Sequence, residues 1–233
     1  MFQSILVDIH SHVLPNLDDG AKSISETIDI CKFMQNMGYK KMITTPHNQK
    51  GWFANPPEKI YETLNKVNVA LSIHRLNIQL DVASEYYLDE LFIQQIKNKE
   101  VLTFGNNYVL FELSPFICSK SLWSDIQIIM DSGYIPVLAH PERYIYFYNQ
   151  KEKYHALHEM GVKLQLNLVS LSDIVSKELR CNAEYLVDNQ LVSFCGSDSH
   201  SIKNPSTIAQ LQKSTPYFEK LIQTNPLLNK TLL

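Results

Sequence analysis

Seven short apolar runs recur along this chain, at 4–9, 41–45, 78–83, 108–113, 135–139, 163–168 and 191–195, and the stretches between them carry helical spacing. Strands separated by helices pair in parallel, so regular alternation without a long linker predicts a parallel α/β architecture, a closed barrel or an open sheet. The helical signals are local. Ile24, Ile28, Cys31 and Met34 follow a Ser23-x-x-Glu26 capping box, and Gly38 stops that helix. Ile60, Leu64, Val67 and Leu71 form a stripe after Pro56-Pro57, and Leu122, Ile126 and Ile129 form another ahead of Gly133. No repeat, low-complexity tract or charge block divides the 233 residues, so 1–233 is expected to be a single domain. The stretch from 213 onward reads as a terminal helix or arm without legible chemistry.

The ends of these runs collect residues that bind metal. His10 and His12 follow the first run and His47 the second; Glu85 follows the third, and Glu112 ends the fourth. His140 follows the fifth, and Asp198 and His200 follow the seventh. Only the sixth, ending near Asn167, offers no obvious ligand. Alternate residues of an extended chain share a face, so His10 and His12 can chelate one ion. Active sites of parallel α/β folds gather at the carboxyl ends of the strands, so convergence of six runs on one rim outweighs any single motif. Asp, Glu and His without Cys form a hard-to-borderline ligand set suited to manganese, iron, zinc or magnesium. The set is too large for one tetrahedral ion and points to two or three clustered divalent metals, with Glu85 a candidate bridge.

Composition excludes other classes. A formal charge of −3 leaves no basic excess for nucleic acid. The opening MFQSILVDIHSH has neither the cationic nor the long apolar segment of a signal peptide, and no run reaches the ~18–20 apolar residues of a membrane span. A cytoplasmic protein without membrane insertion is expected. The four cysteines, Cys31, Cys118, Cys181 and Cys195, form no C-x-x-C pair, and free thiols are expected. None has Arg six positions on, so a thiol phosphatase loop of the C-x5-R kind is absent.

Six blocks fall in order: DIHSHVLPNLDDG at 8–20, TTPH at 44–47, ASEYY at 83–87, LFELS at 110–114, AHPERY at 139–144 and GSDSH at 196–200. Together they resemble the PHP (polymerase and histidinol phosphatase) superfamily, and within it the manganese-dependent protein-tyrosine phosphatases of bacterial capsule and exopolysaccharide operons. The resemblance implies a distorted (β/α)7 TIM-like barrel with a trinuclear site, manganese being the favoured metal and iron, zinc, cobalt or magnesium the alternatives. It assigns His10, His12, Glu85 and Asp198 to one ion, Glu85 with Glu112 and His140 to a second, and Asp19, His47 and His200 to a third. Asp19 is preferred to its neighbour Asp18 because it matches the family ligand beside Gly20. Arg143 matches the family arginine that clamps a phosphate oxygen, a bidentate task ill suited to Lys. The implied reaction is hydrolysis by metal-activated hydroxide with departure of tyrosinate, and no protein nucleophile is needed. The implied partner is a phosphotyrosine protein, a bacterial tyrosine autokinase. Competing readings keep the metal site: a small-molecule phosphomonoesterase on the histidinol phosphate precedent, a weakly active metal-binding regulator, or an amide hydrolase.

This chain departs from the family pattern twice. Ser201-Ile202-Lys203-Asn204 stands where some members carry a second Arg, leaving Lys203 to supply the charge. The segment 48–55 lacks the arginines of some relatives; Lys50 and Trp52 are its candidate substrate contacts, with Phe53 beside them. Of the other groups, His74, His155 and His158 are expected at the surface. Glu142 is expected to be structural and Cys195 a buried filler, with Tyr86 or Tyr87 packing under the rim.

Overall fold

The computed structural model describes residues 5–233, apart from the side chains of 212–214; Ser4, expected to open the first strand, lies outside these. Among the described residues there are nine short strands: β1 Val7–Asp8, β2 Lys41–Thr44, β3 His47–Asn48, β4 Gln79–Val82, β5 Glu85–Tyr87, β6 Tyr108–Glu112, β7 Ile135–Ala139, β8 Lys163–Asn167 and β9 Val192–Gly196. All strand pairings are parallel, in a three-stranded sheet of order β1-β2-β4 and a six-stranded sheet of order β3-β5-β6-β7-β8-β9. Nine strands arise from seven apolar runs because β3 and β5 continue the second and third runs past interruptions. Pro46 has no N–H for the ladder and breaks the second run. Ala83 N to Thr44 O (3.0 Å) and Glu85 N to Pro46 O (3.2 Å) carry the pairing across the gap.

Helices alternate with the strands: α1 Ile24–Asn36, α2 Pro57–Ile73, α3 Glu90–Asn98, α4 Leu122–Asp131, α5 Glu152–Glu159, α6 Lys177–Asp188, α7 Lys203–Ser214 and α8 Pro216–Thr224. The Ser23 side chain accepts from Glu26 N, and the Glu26 carboxylate accepts from Lys22 N, one residue before the cap. Residues after 213 finish α7, then form α8 and a short 3-10 turn at Asn229–Leu232. None of the described helices is long and apolar enough to cross a membrane.

Alternation along the strands divides the interior into two cores. Val109, Phe111 and Leu138 belong to the larger, while Leu110, Val137 and Ala139 point the other way into a smaller one with Val7, Ile9, Ile43, Ala83, Phe104, Phe194 and Leu232. On β8 the same alternation puts Leu164 and Leu166 in the larger core and leaves Gln165 and Asn167 on the opposite face, both buried.

β1 and β9 are terminal strands of different sheets, joined at their carboxyl ends. Asp198 N donates to His10 O (2.8 Å) and His12 N to Ser199 O (2.9 Å), around a parallel bridge between Ser11 and Ser199. The buried Asp8 carboxylate reinforces this junction by accepting from Ser197 N (2.8 Å) and Ser197 Oγ (2.5 Å). Burial, outweighing these bonds, pushes the Asp8 pKa up to about 6.

Candidate metal centre

Every carboxylate and imidazole expected at the strand ends is brought to one place. Glu85, the first residue of β5, occupies its middle, fully buried. Its Oε2 lies 3.1 Å from His10 Nε2, 3.3 Å from His12 Nε2 and 3.2 Å from His47 Nδ1, and its Oε1 lies 2.9 Å from His140 Nε2. Asp198 Oδ1 stands 3.5 Å from His10 Nε2, 3.3 Å from His12 Nε2 and 3.4 Å from His200 Nδ1. Asp19 Oδ1 faces His200 Nε2 at 3.2 Å and His47 Nε2 at 3.5 Å. Glu112 reaches His47 Nδ1 at 3.2 Å and His140 Nε2 at 4.0 Å.

The backbone is bent to achieve this. His140 and Asp198 both adopt positive φ, 35° and 49°, where a side chain costs energy and persists only if the surroundings hold it. The 3-10 turn Pro141–Arg143 then carries Arg143 back to the rim, where its Nη1 lies 3.1 Å from Asp198 Oδ2. In the DDG turn, Gly20 packs so tightly that a Cβ there would stand 2.1 Å from His12 O. That approach aims Asp18 and Asp19 differently. Asp18 Oδ2 accepts from His12 Nδ1 (2.8 Å) and from His47 N (3.0 Å), whereas Asp19 turns outward to His47 and His200.

The charges are mutually supporting. Burial alone would depress the His10 pKa, but the carboxylates of Glu85 and Asp198 outweigh it and lift it to about 9. The same competition, won by Asp18, Asp198 and Glu85, holds His12 well above its ordinary value. Burial pushes Glu85 and Asp198 upward, yet the surrounding imidazoles pull both well below the usual carboxylate range. Any cation entering here meets ionised carboxylates and must displace imidazole protons.

Four groups of these donors have ligand atoms close enough to share an ion: His12, Asp19, His47 and His200; His10, Glu85 and His140; His10, His12 and Asp198; and His47, Glu85 and Glu112. The groups overlap, and Glu112 sits nearer His47 than His140, so the donors form one continuous cluster rather than three separate cages. Two local features fit a bound cation. Glu85 Oε2, amid three imidazole nitrogens, is buried without a hydrogen-bond partner. His10 Nε2 and His12 Nε2 stand 3.2 Å apart, close to the separation of about 3.3 Å expected for two nitrogens at 2.0–2.1 Å on one tetrahedral ion.

A cleft of about 230 Å³ opens over the cluster, lined on one side by Gln49 and Phe53 and on the other by Arg143 and His200. Phe53 stacks on His47, ring centroids 5.5 Å apart. Lys50 and Trp52 are not among the lining residues; both are exposed, Trp52 at 78%, because the turn at 49–53 folds Phe53 inward and them outward. Lys203 is exposed in the first turn of α7 and does not line the cleft. Tyr86 is the residue beneath the rim, its hydroxyl accepting from Leu102 N. Cys195 is buried. Glu142 is buried, accepting from Asn167 N and Ser170 Oγ. His74 and His158 are exposed; His155 is partly buried against the Tyr185 hydroxyl, a contact that helical spacing does not reveal.

Sequence reasoning passed over four positioning side chains: Asp8, Asp18 as a partner of His12, Gln165 and Asn167. The last two had a signal, since the alternation Leu164-Gln165-Leu166-Asn167 puts amides where other strands put apolar residues.

A family model described as capsular polysaccharide synthesis, CpsB/CapC, matches residues 6–228. Putative tyrosine-protein phosphatase CapC of Staphylococcus aureus is 32% identical over 225 residues, covering 93% of this chain and 87% of that protein. Tyrosine-protein phosphatase YwqE of Bacillus subtilis is 30% identical over 203 residues, covering 85% and 78%. A solved structure from work on YwqE of Bacillus subtilis and CpsB of Streptococcus pneumoniae, described as metal-dependent tyrosine phosphatases, superposes with TM-score 0.80. It shares 24% identity and covers 95% of this chain and 96% of that one.

Proposed function

This chain belongs to the CpsB/CapC family of capsular polysaccharide synthesis, and from that premise we propose that its cluster of imidazoles and carboxylates is the active site of a metal-dependent phosphotyrosine-protein phosphatase. The observation that carries the reading is Glu85: one buried carboxylate contacting His10, His12, His47 and His140, under a cleft that Arg143 overlooks. His10, His12, Asp19, His47, Glu85, Glu112, His140, Asp198 and His200 would hold two or three divalent ions, manganese being favoured. Such ions, when bound, supply water of lowered pKa and neutralise charge on a phosphoryl group.

The chain's own side chains do the rest. Arg143 presents its guanidinium to phosphate oxygens from the wall of the cleft, steadied by Asp198. Phe53, held flat on His47, walls the phenyl ring of a phosphotyrosine. Phenolate, with a pKa near ~10, leaves without a strong general acid, so the site needs no protonated side chain opposite the nucleophile. The hydrogen bonds between β1 and β9 support reading the two sheets as one distorted (β/α)7 barrel, with 1–233 a single functional unit. The substrate would be the phosphotyrosine of a bacterial tyrosine autokinase controlling polysaccharide export. The names of the relatives support a phosphotyrosine protein as substrate, and the four free thiols suit a reducing cytoplasm.

The test is chelation, then restoration with manganese, zinc or magnesium, assayed on a phosphotyrosine peptide and on histidinol phosphate. The reading expects aryl phosphate turnover to vanish and return, with the peptide preferred. Turnover that survives complete chelation, or preference for histidinol phosphate, would overturn it.

A further inference from the structure

We infer that Gln165 and Asn167, on the one strand run without a candidate ligand, form a polarised relay that fixes which atoms of His10 and Asp198 face the cation cluster. The inference rests on the metal-site reading above. Both amides are buried, and each end of the relay has its direction dictated by a group with no choice. At one end, the backbone N–H of His140 points at Gln165 Oε1 (3.4 Å); a backbone N–H can only donate, so this atom is the carbonyl oxygen. At the other, Asn167 Nδ2 lies 2.8 Å from Asp198 Oδ2; an ionised carboxylate can only accept, so this atom is the amide nitrogen. The middle link, Gln165 Nε2 to Asn167 Oδ1 at 2.9 Å, then matches donor to acceptor without further adjustment.

Two consequences follow at the ligands. His10 Nδ1, 2.8 Å from Gln165 Oε1, must carry a proton to donate, so the lone pair of the neutral ring falls on Nε2. That nitrogen is the one facing His12 Nε2 and Glu85 Oε2. Asp198 Oδ2 is engaged by Asn167 Nδ2 and Arg143 Nη1, which frees Oδ1, the oxygen facing His10, His12 and His200. Gly196 makes the relay sterically feasible, because a Cβ there would stand 2.7 Å from both Gln165 Nε2 and His10 Cβ. Gln165 and Asn167 are therefore positioning residues acting through two ligands at once.

The experiment uses full-length protein loaded with diamagnetic zinc. Imidazole 15N spectra of the wild type should show His10 protonated at Nδ1 and metallated at Nε2, with the Nδ1 proton exchanging slowly with water. In Gln165→Met that proton should exchange at least tenfold faster, and zinc affinity, measured by chelator competition, should fall about 10–100-fold. Asn167→Leu should weaken zinc comparably, and the double variant should be no weaker than the weaker single variant, since both break one chain. Zinc on His10 Nδ1 in the wild type, or fully additive losses in the double variant, overturns the relay. The wild-type spectrum decides this even if a variant fails to fold. A wild type that binds no zinc, manganese or magnesium overturns the metal-site reading instead.

Discussion

β1 and β9 meet in two places, and the two junctions are built on opposite terms. Behind the rim, Asn229 sits buried between them with its polar atoms matched: Nδ2 donates to Val7 O (2.9 Å) and Cys195 O (2.7 Å), and Oδ1 accepts from Cys195 N (2.9 Å). At the rim, His10 and Asp198, each two residues past the end of one of these strands, are also buried, yet their neighbours include Glu85 Oε2, which has no aligned partner. Buried polar groups that complete one another stabilise a fold, whereas groups of one chemistry left facing one another mark a place prepared for a ligand. The inner junction thus holds the fold, and the outer one is where the proposed cations would enter.

The largest effect that would test this contrast is at the rim. Glu85→Gln preserves shape but removes the charge shared by four imidazoles, and should cut kcat/KM by at least ~10³-fold with loss of bound metal by elemental analysis. A hundredfold excess of manganese over Kd should stabilise the wild type by about 2.7 kcal/mol, read as a raised Tm, and leave the Tm of Glu85→Gln nearly unchanged. At the inner junction the pattern should invert. Asn229→Ala strands the backbone groups of Val7 and Cys195, and should lower stability by about 3 kcal/mol while the folded fraction keeps its turnover and its manganese-induced rise in Tm. If Asn229→Ala abolished metal binding, the two junctions would be one unit and the contrast would fail.

The sequence disclosed the rim better than what stands behind it. His10, His12, His47, Glu85, Glu112, His140, Asp198 and His200 were legible because polar residues that end apolar runs stand out against the strand pattern, and their types share one chemistry. The strand count was legible only as runs, since the break at Pro46 depends on ladder bonds that no local pattern prints. Asn229 was illegible. It lies in a terminal stretch of ordinary composition, and its value arises wholly from contacts with Val7, 222 positions away, and Cys195. Lys50 and Trp52 stand outside the cleft for the related reason that a turn decides which of its residues face inward, and the turn at 49–53 puts Phe53 there.

On the proposed reading the rim divides into groups that would hold cations and groups that would hold substrate, and milder variants should separate them. Arg143→Ala removes a guanidinium from the cleft wall and one of the two contacts on Asp198 Oδ2, but leaves every proposed cation donor in place and Asn167 still on that oxygen, so metal content should persist while kcat/KM falls about 10²-fold through lost phosphate contacts. Full activity of Arg143→Ala would remove it from the site.

The smallest effect is expected at Phe53. Its ring stacks on His47 with an interplanar angle of 18°, and a stacked aromatic contact is worth about 0.5–1.5 kcal/mol beyond its buried area, or roughly 2–12-fold in a rate constant. Phe53→Ala should therefore raise KM for an aryl phosphate by that factor and leave manganese affinity within about twofold, because the face of His47 is lost to stacking but its nitrogens still meet Glu85, Glu112 and Asp19. A variant that lost metal instead would mean that the stack positions His47 as a ligand and does not wall the substrate. Trp52→Ala then supplies the contrast within one turn: if it raised KM more than Phe53→Ala did, the substrate would lie across the exposed edge of 49–53 and outside the cleft.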